Sequence, residues 1–205
     1  MQSNFTFPKD RPDMTSWYYF QDAFTPSEFD FLEDMLPSIP YQAARIANNA
    51  EGEELVKYRK SNIKWIRAAD SAGHPMHRHH WMFDKLMHMM EIANNELWNF
   101  NLQSLTDDIQ YTEYLGDEEG FYDWHLDLGP DELSLRKVSL VVLLSDPSEY
   151  EGGELQLKRG KDEISVPNDK GNVILFPSYI LHRVTPVTSG LRKSLVLWGG
   201  GESLK

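Results

Sequence analysis

Apolar positions follow two different spacings along the chain, and the spacing changes near residue 105. In the first half they recur at intervals of three and four. Phe29, Leu32, Met35 and Leu36 line one face of a helix that Thr25-Pro26-Ser27-Glu28 opens with a capping box and that Pro37 ends. Trp81, Leu86, Met89, Met90, Ala93 and Leu97 mark a longer helix over 76–99. Residues 17–20 are aromatic enough for a strand, and 57–66 reads as another. The stretch 1–16 reads as a surface arm, 41–49 carries a weak signal, and 51–54 reads as an exposed turn.

Past residue 105 the apolar residues alternate or fall in short blocks, bounded by Gly, Asn and Asp. Strands are expected over 109–115, from Phe121, over 137–145 as a nearly continuous apolar run, and over 154–157 between two glycine turns. Further strands are expected over 173–176, 182–187 and 192–198, with Thr188-Ser189-Gly190 as a turn between the last two. The pattern predicts a mainly β protein with flanking helices: a double-sheet jelly roll (double-stranded β-helix) at 105–201, with helical support and substrate-side elements at 1–104 packed on one sheet.

The length of 205 residues fits one domain, enough to bury about 70% of the unfolded chain's surface. Acidic residues outnumber basic ones by 32 to 20, and the net charge of -12 disfavours nucleic acid as a partner. There is no cysteine, so disulfides and thiolate ligands are excluded, and any metal chemistry falls to His, Asp and Glu. No basic start with an apolar run and no membrane-length segment is seen, so the expected setting is soluble and cytoplasmic.

Against that background Phe121-Tyr122-Asp123-Trp124-His125-Leu126-Asp127 carries the candidate chemistry. On a strand, the two-residue period puts His125 and Asp127 on one face. His182, beyond the apolar run 173–176, supplies a third ligand. Two imidazoles and a carboxylate on one face leave coordination positions open, the donor set of non-haem Fe(II) oxygenases. On the last strand Arg192, Ser194, Val196 and Trp198 share one face, so a guanidinium and a hydroxyl can meet one anion. The denser cluster His74, His77, His79 and His80 lacks carboxylates at spacings that would converge with it, and reads as exposed or capping histidines.

These residues resemble the Fe(II)/2-oxoglutarate-dependent dioxygenases, in particular the prolyl 4-hydroxylase-like branch. The matching text is Tyr114, Phe121-Tyr122-x-x-His125-x-Asp127, Gly152-Gly153-Glu154-Leu155, Phe176-Pro177-Ser178, His182-Arg183-Val184-Thr185-Pro186-Val187 and Gly190-Leu191-Arg192-Lys193-Ser194 leading to Trp198. It covers about 105–201, with a weaker echo at Arg59-Lys60-Ser61 and Trp65. The resemblance implies iron held by His125, Asp127 and His182, and the distal carboxylate of 2-oxoglutarate held by Arg192 and Ser194, with Tyr114 in support. It also implies O2 as co-substrate and ascorbate among the cofactors. Arg59, Trp65, Tyr122 and Trp198 become candidates for the substrate side, although an edge strand with solvated lysines explains 57–66 equally well. The implied reaction hydroxylates a C–H bond of a peptidyl or free amino-acid side chain, proline foremost. Two rivals stand beside it. A nucleic-acid or nucleotide demethylase would resemble enzymes with a second arginine six residues past the anchor, where this chain has Trp198; the other is a non-catalytic jelly-roll binding module.

Overall fold

The helix expected after Thr25 is the first element to check, in a computed structural model that describes residues 16–42, 56–70 and 72–203. The expected arm before residue 16, most of the weak stretch 41–49 and the turn at 51–54 lie outside the described residues. Helix α1 (Pro26–Met35) opens with the capping box: Glu28 N–H donates to Thr25 Oγ1 at 3.3 Å, and Thr25 N–H to Glu28 Oε2 at 2.7 Å. The second helix comes in three pieces, a 3-10 turn at His77–His79, α2 (His80–Ala93), and a π turn at Asn94–Trp98 that stops where Asn99 turns left-handed. No helix of the described residues is long and apolar enough to cross a membrane.

The strands are β1 (Tyr18–Phe20), β2 (Arg59–Lys60), β3 (Asn62–Ile66), β4 (Ser104–Leu105), β5 (Ile109–Leu115), β6 (Phe121–His125), β7 (Arg136–Leu143), β8 (Tyr150–Gly152), β9 (Leu155–Arg159), β10 (Asp162–Ser165), β11 (Val173–Pro177), β12 (His182–Val184) and β13 (Val187–Gly200). They form two antiparallel sheets of a jelly roll that do not close into a barrel. The larger follows the order β1-β11-β7-β13-β5-β3, with β4 and β8 also on β13; the smaller follows β10-β9-β12-β6-β2.

The continuous apolar run of β7 follows from burial of both its faces. Val138, Leu140 and Val142 pack with Leu32 and Met35 of α1 and with Met82, Leu86 and Met90 of α2. Val141 and Leu143 point the other way, into a second core shared with Leu155, Leu157 and Val184 of the smaller sheet. The helices therefore back the larger sheet, and the space between the sheets is left for the site.

Three expectations change. The strand expected over 57–66 is broken at Ser61: β2 pairs with β6 in the smaller sheet, and β3 pairs with β5 at the edge of the larger one. The N-terminal half thus supplies strands as well as helices, and Lys64 is buried, donating to Leu36 O at 2.8 Å, where a solvated lysine was the alternative. Second, the strand expected over 182–187 is shortened to His182–Val184, and Val187 already belongs to β13; residues 178–181 carry the chain from β11 to β12 in the opposite sheet. Third, Thr188-Ser189-Gly190 is not a turn. β13 runs through it, with a register shift against β8 between Val187 and Ser189, and Gly190 permits a close approach: it has φ +74, and a Cβ there would lie 2.0 Å from Glu149 O.

Candidate metal centre

Strands β6 and β12 pair antiparallel with His125 opposite His182, and their imidazole centroids are 4.1 Å apart. His125 is the last residue of β6, so Asp127 does not share its strand as expected. The chain bends after His125, and the bend is pinned from outside: the N–H groups of Asp127 and Leu128 both donate to Ser178 O, at 3.1 and 3.0 Å. The turn still delivers the carboxylate. Asp127 Oδ1 lies 3.8 Å from His125 Nε2 and Oδ2 lies 3.5 Å from His182 Nε2. One ligand atom from each residue falls within 4.8 Å of the others, the only such group of three found among the described residues.

The donor chemistry fits a divalent metal. His125 Nδ1 lies 2.7 Å from Asp123 O and His182 Nδ1 2.9 Å from Ile180 O. A carbonyl accepts only, so each Nδ1 carries the proton and each Nε2 turns a lone pair toward the centre. Burial, and then the neighbouring His182, push the His125 pKa down to about 3, which keeps the ring neutral. Burial alone would raise the Asp127 pKa; His182, His125, Arg136 and the Ser139 hydrogen bond outweigh it and hold the carboxyl below its ordinary range. Two imidazoles oriented by their Nδ1 bonds and one ionised carboxylate result.

The triad opens into a cavity of about 690 Å³ between the sheets. Arg192, Ser194, Val196 and Trp198 of β13 all line it, as their two-residue spacing requires. Arg192 is 2% exposed; its Nη1 is 3.4 Å from Ser194 Oγ, and its Nε has no hydrogen-bond partner among the described residues. No described carboxylate forms an ion pair with it. A buried guanidinium left so is costly unless an anion joins it. Tyr114 sits opposite Arg192 in the β13–β5 pairing and lines the same cavity.

The substrate-side candidates converge as well. Tyr122 stacks on His125, centroids 3.4 Å apart and planes 12° apart, and the Arg59 guanidinium carbon lies 4.7 Å from the Tyr122 ring centre. Burial pushes the Tyr122 phenol up to about 12. Trp65 of β3 and Trp198 of β13, on the same sheet, both line the cavity, with centroids 6.5 Å apart and planes tilted by 44°.

Sequence reasoning missed Arg136 and Asp107. Both line the cavity, with the Arg136 guanidinium carbon 3.8 Å from the Trp198 ring centre and its Nε and Nη2 donating to Asp107 Oδ2 at 3.1 and 2.9 Å. In the sequence Arg136 is simply the polar start of an apolar strand, and no local spacing ties it to either partner. Most of the histidine cluster is exposed as expected, with His74 and His80 paired to Asp70 and Asp84 at the surface; His79 is the exception, buried with its Nε2 against Arg67 O.

Comparison with known proteins places these residues in a wider group. Residues 109–199 match the family model of the 2OG-Fe(II) oxygenase superfamily. Over 79 residues the chain is 46% identical to a PKHD-type hydroxylase of Synechococcus, covering 38% of this chain and 35% of that protein. Over 84 residues it is 40% identical to a PKHD-type hydroxylase of Teredinibacter turnerae, covering 38% and 37%. The chain thus matches little more than a third of the length of these curated relatives. Among solved structures, a prolyl hydroxylase of Trichoplax adhaerens in complex with a hypoxia inducible factor peptide fragment superposes with a TM-score of 0.71 at 18% identity, covering 90% of this chain and 83% of that one. A Pseudomonas putida prolyl-4-hydroxylase gives 0.64 at 22%, covering 92% and 94%. At these identities the two structures establish a shared fold.

Proposed function

Because residues 109–199 match the 2OG-Fe(II) oxygenase superfamily, we propose that the chain hydroxylates an unactivated C–H bond of a prolyl or other amino-acid side chain in a peptide or protein. His125, Asp127 and His182 would hold Fe(II), and Arg192 with Ser194 would hold the distal carboxylate of 2-oxoglutarate, with Tyr114 against it. When bound, the iron with 2-oxoglutarate and O2 supplies the oxidising power, and the co-substrate leaves as succinate and CO2. The observation that carries this reading is the placement of an unpaired, buried Arg192 in the same cavity as the three metal-type donors.

The chain's own contribution is placement. Arg192 offers a charge-assisted, two-pronged grip that orients a diacid from its far end. Arg59 over Tyr122 walls one side of the metal centre and keeps the His125 ring from swinging. Trp65 and Trp198 give apolar surface on which a substrate ring can rest.

A peptide suits the cavity better than a free amino acid. The lining includes exposed Gln42, Leu126, Asp131 and Glu132, so the cavity opens to solvent and is not a closed small pocket. The direct test is incubation with Fe(II), 2-oxoglutarate, O2 and a peptide library, followed by mass spectrometry. The expected result is a gain of one oxygen on a subset of peptides with matching succinate release. Turnover confined to free amino acids overturns the peptide assignment, and no turnover with any candidate favours a binding module.

A further inference from the structure

Apart from its first two residues, β7 has one polar position, Ser139, and that side chain is fully buried. Its hydroxyl donates to Asp127 Oδ2 at 2.6 Å and lies 3.0 Å from the hydroxyl of Ser178, itself 1% exposed. We propose that Ser139 and Ser178 are positioning residues for the metal centre: a two-hydroxyl rack that fixes how Asp127 presents its carboxylate, Ser139 directly and Ser178 through Ser139. The inference rests on the reading of His125, Asp127 and His182 as metal ligands.

The direction of the rack follows from counting protons. A serine hydroxyl has one, and Ser139 commits its own to the carboxylate. Toward Ser178 it can only accept, so the chain runs from Ser178 to Ser139 to Asp127, each bond polarising the next. Buried hydroxyls arranged this way are fully satisfied and resist rotation.

Asp127 needs such a support more than the histidines do. Each imidazole is held by its strand and by its Nδ1 bond to a backbone carbonyl. Asp127 lies past the end of β6, and its backbone is held through Ser178: Ser178 O accepts from Asp127 and Leu128, while Ser178 N–H donates to Lys137 O at 2.9 Å. Ser178 therefore ties the bend that carries Asp127 to the strand that carries Ser139. The hydroxyl also makes the two carboxylate oxygens unlike. Oδ2 is engaged by Ser139, and Oδ1 has no hydrogen bond among the described residues. Ligation through Oδ1 alone is then favoured, which keeps the protein's share at three positions and leaves the rest open.

The test uses the metal-free full chain and Co(II), titrated against a competing chelating dye. Ser139→Ala is expected to weaken Co(II) binding by about 10- to 100-fold, and to lower the visible absorption of bound Co(II) as the carboxylate swings to two-oxygen ligation. Ser178→Ala is expected to weaken it less, and the double variant no more than Ser139→Ala alone. That lack of additivity separates a rack from two independent packing defects. Unchanged affinity and spectrum in Ser139→Ala, or fully additive losses, overturn the proposal. If Ser139→Ala does not fold, Ser178→Ala carries the test: weakened Co(II) binding supports the rack and wild-type binding overturns it. Wild-type protein that takes up no Co(II) removes the metal centre itself, a different failure from unchanged variants.

Discussion

Arg192 and Tyr114 stand opposite each other in the pairing of β13 with β5, the guanidinium carbon 5.4 Å from the centre of the phenol ring. The contact gives the buried cation an aromatic neighbour but no counter-charge. Removing the cation should therefore not harm the protein when 2-oxoglutarate is absent. Arg192→Met is expected to leave the thermal midpoint unchanged or higher, since a desolvated charge gives way to an apolar chain of similar length. Added 2-oxoglutarate should raise the midpoint of metal-loaded wild type and not that of the variant. In titrations of Co(II)-loaded protein the variant should need tens to about a hundred times more 2-oxoglutarate, while its metal affinity holds. Normal co-substrate affinity would take Arg192 out of its assigned role.

Gly153 guards the same guanidinium. It has φ +61, and a Cβ there would lie 2.8 Å from Arg192 Cδ and 2.9 Å from Val187 Cγ2. Gly153→Ala combines a left-handed backbone with crowding inside the core. A loss of about 1–3 kcal/mol is expected in denaturant unfolding, together with weaker 2-oxoglutarate binding. A variant with wild-type values for both would show that Arg192 has room to move.

Asp107 accepts two bonds from Arg136, whose guanidinium lies over Trp198. Asp107→Asn keeps the shape and removes the charge that anchors two donors. The expected result is a rise of about tenfold in KM for an accepted peptide, with 2-oxoglutarate and metal affinities unchanged. A fall in metal affinity instead would place Asp107 on the metal side of the site.

The link between the helices should depend on pH. Lys85 Nζ donates to both carboxylate oxygens of Glu28, at 2.6 and 2.7 Å. Burial acts to raise the Glu28 pKa, but the bonds from Lys85 and Thr25 prevail and lower it. A folded pKa below the unfolded one means that stability is fully present above the ordinary carboxylate pKa and is lost as pH falls through the folded value. Glu28→Gln should cost about 1 kcal/mol at neutral pH, and its deficit should shrink toward zero in acid. A deficit independent of pH would assign the effect to packing alone.

The sequence made legible which side chains gather in the cavity wherever local rules hold, but not for Asp127, which arrives from a bend and not from the strand of His125. His125 ends a strand, Arg192 to Trp198 keep a strict two-residue period, and Thr25 to Glu28 spell a cap. What it hid depends on contacts distant along the chain. Ser61, where one apparent strand passes from one sheet to the other, carries no local signal for the crossing, since β2 and β3 are distinguished only by their partners β6 and β5. Gly190 gave a turn signal because left-handed glycines are common in turns; here the same backbone lets β13 pass close to Glu149 O while pairing with β8, a contact the local sequence does not show. Arg136 and Ser139 were invisible for the same reason: their roles come from Asp107, Trp198 and Asp127, which only the folded sheet brings near.

Anaerobic calorimetric titration of the metal-free chain, first with Fe(II) and then with 2-oxoglutarate, tests the central claim most directly. One Fe(II) should bind per chain, 2-oxoglutarate should bind tightly only after it, and His182→Ala should abolish both events. Iron uptake that survives His182→Ala, or 2-oxoglutarate binding that is indifferent to iron, would contradict the assignment of the cavity to a metal-bound co-substrate.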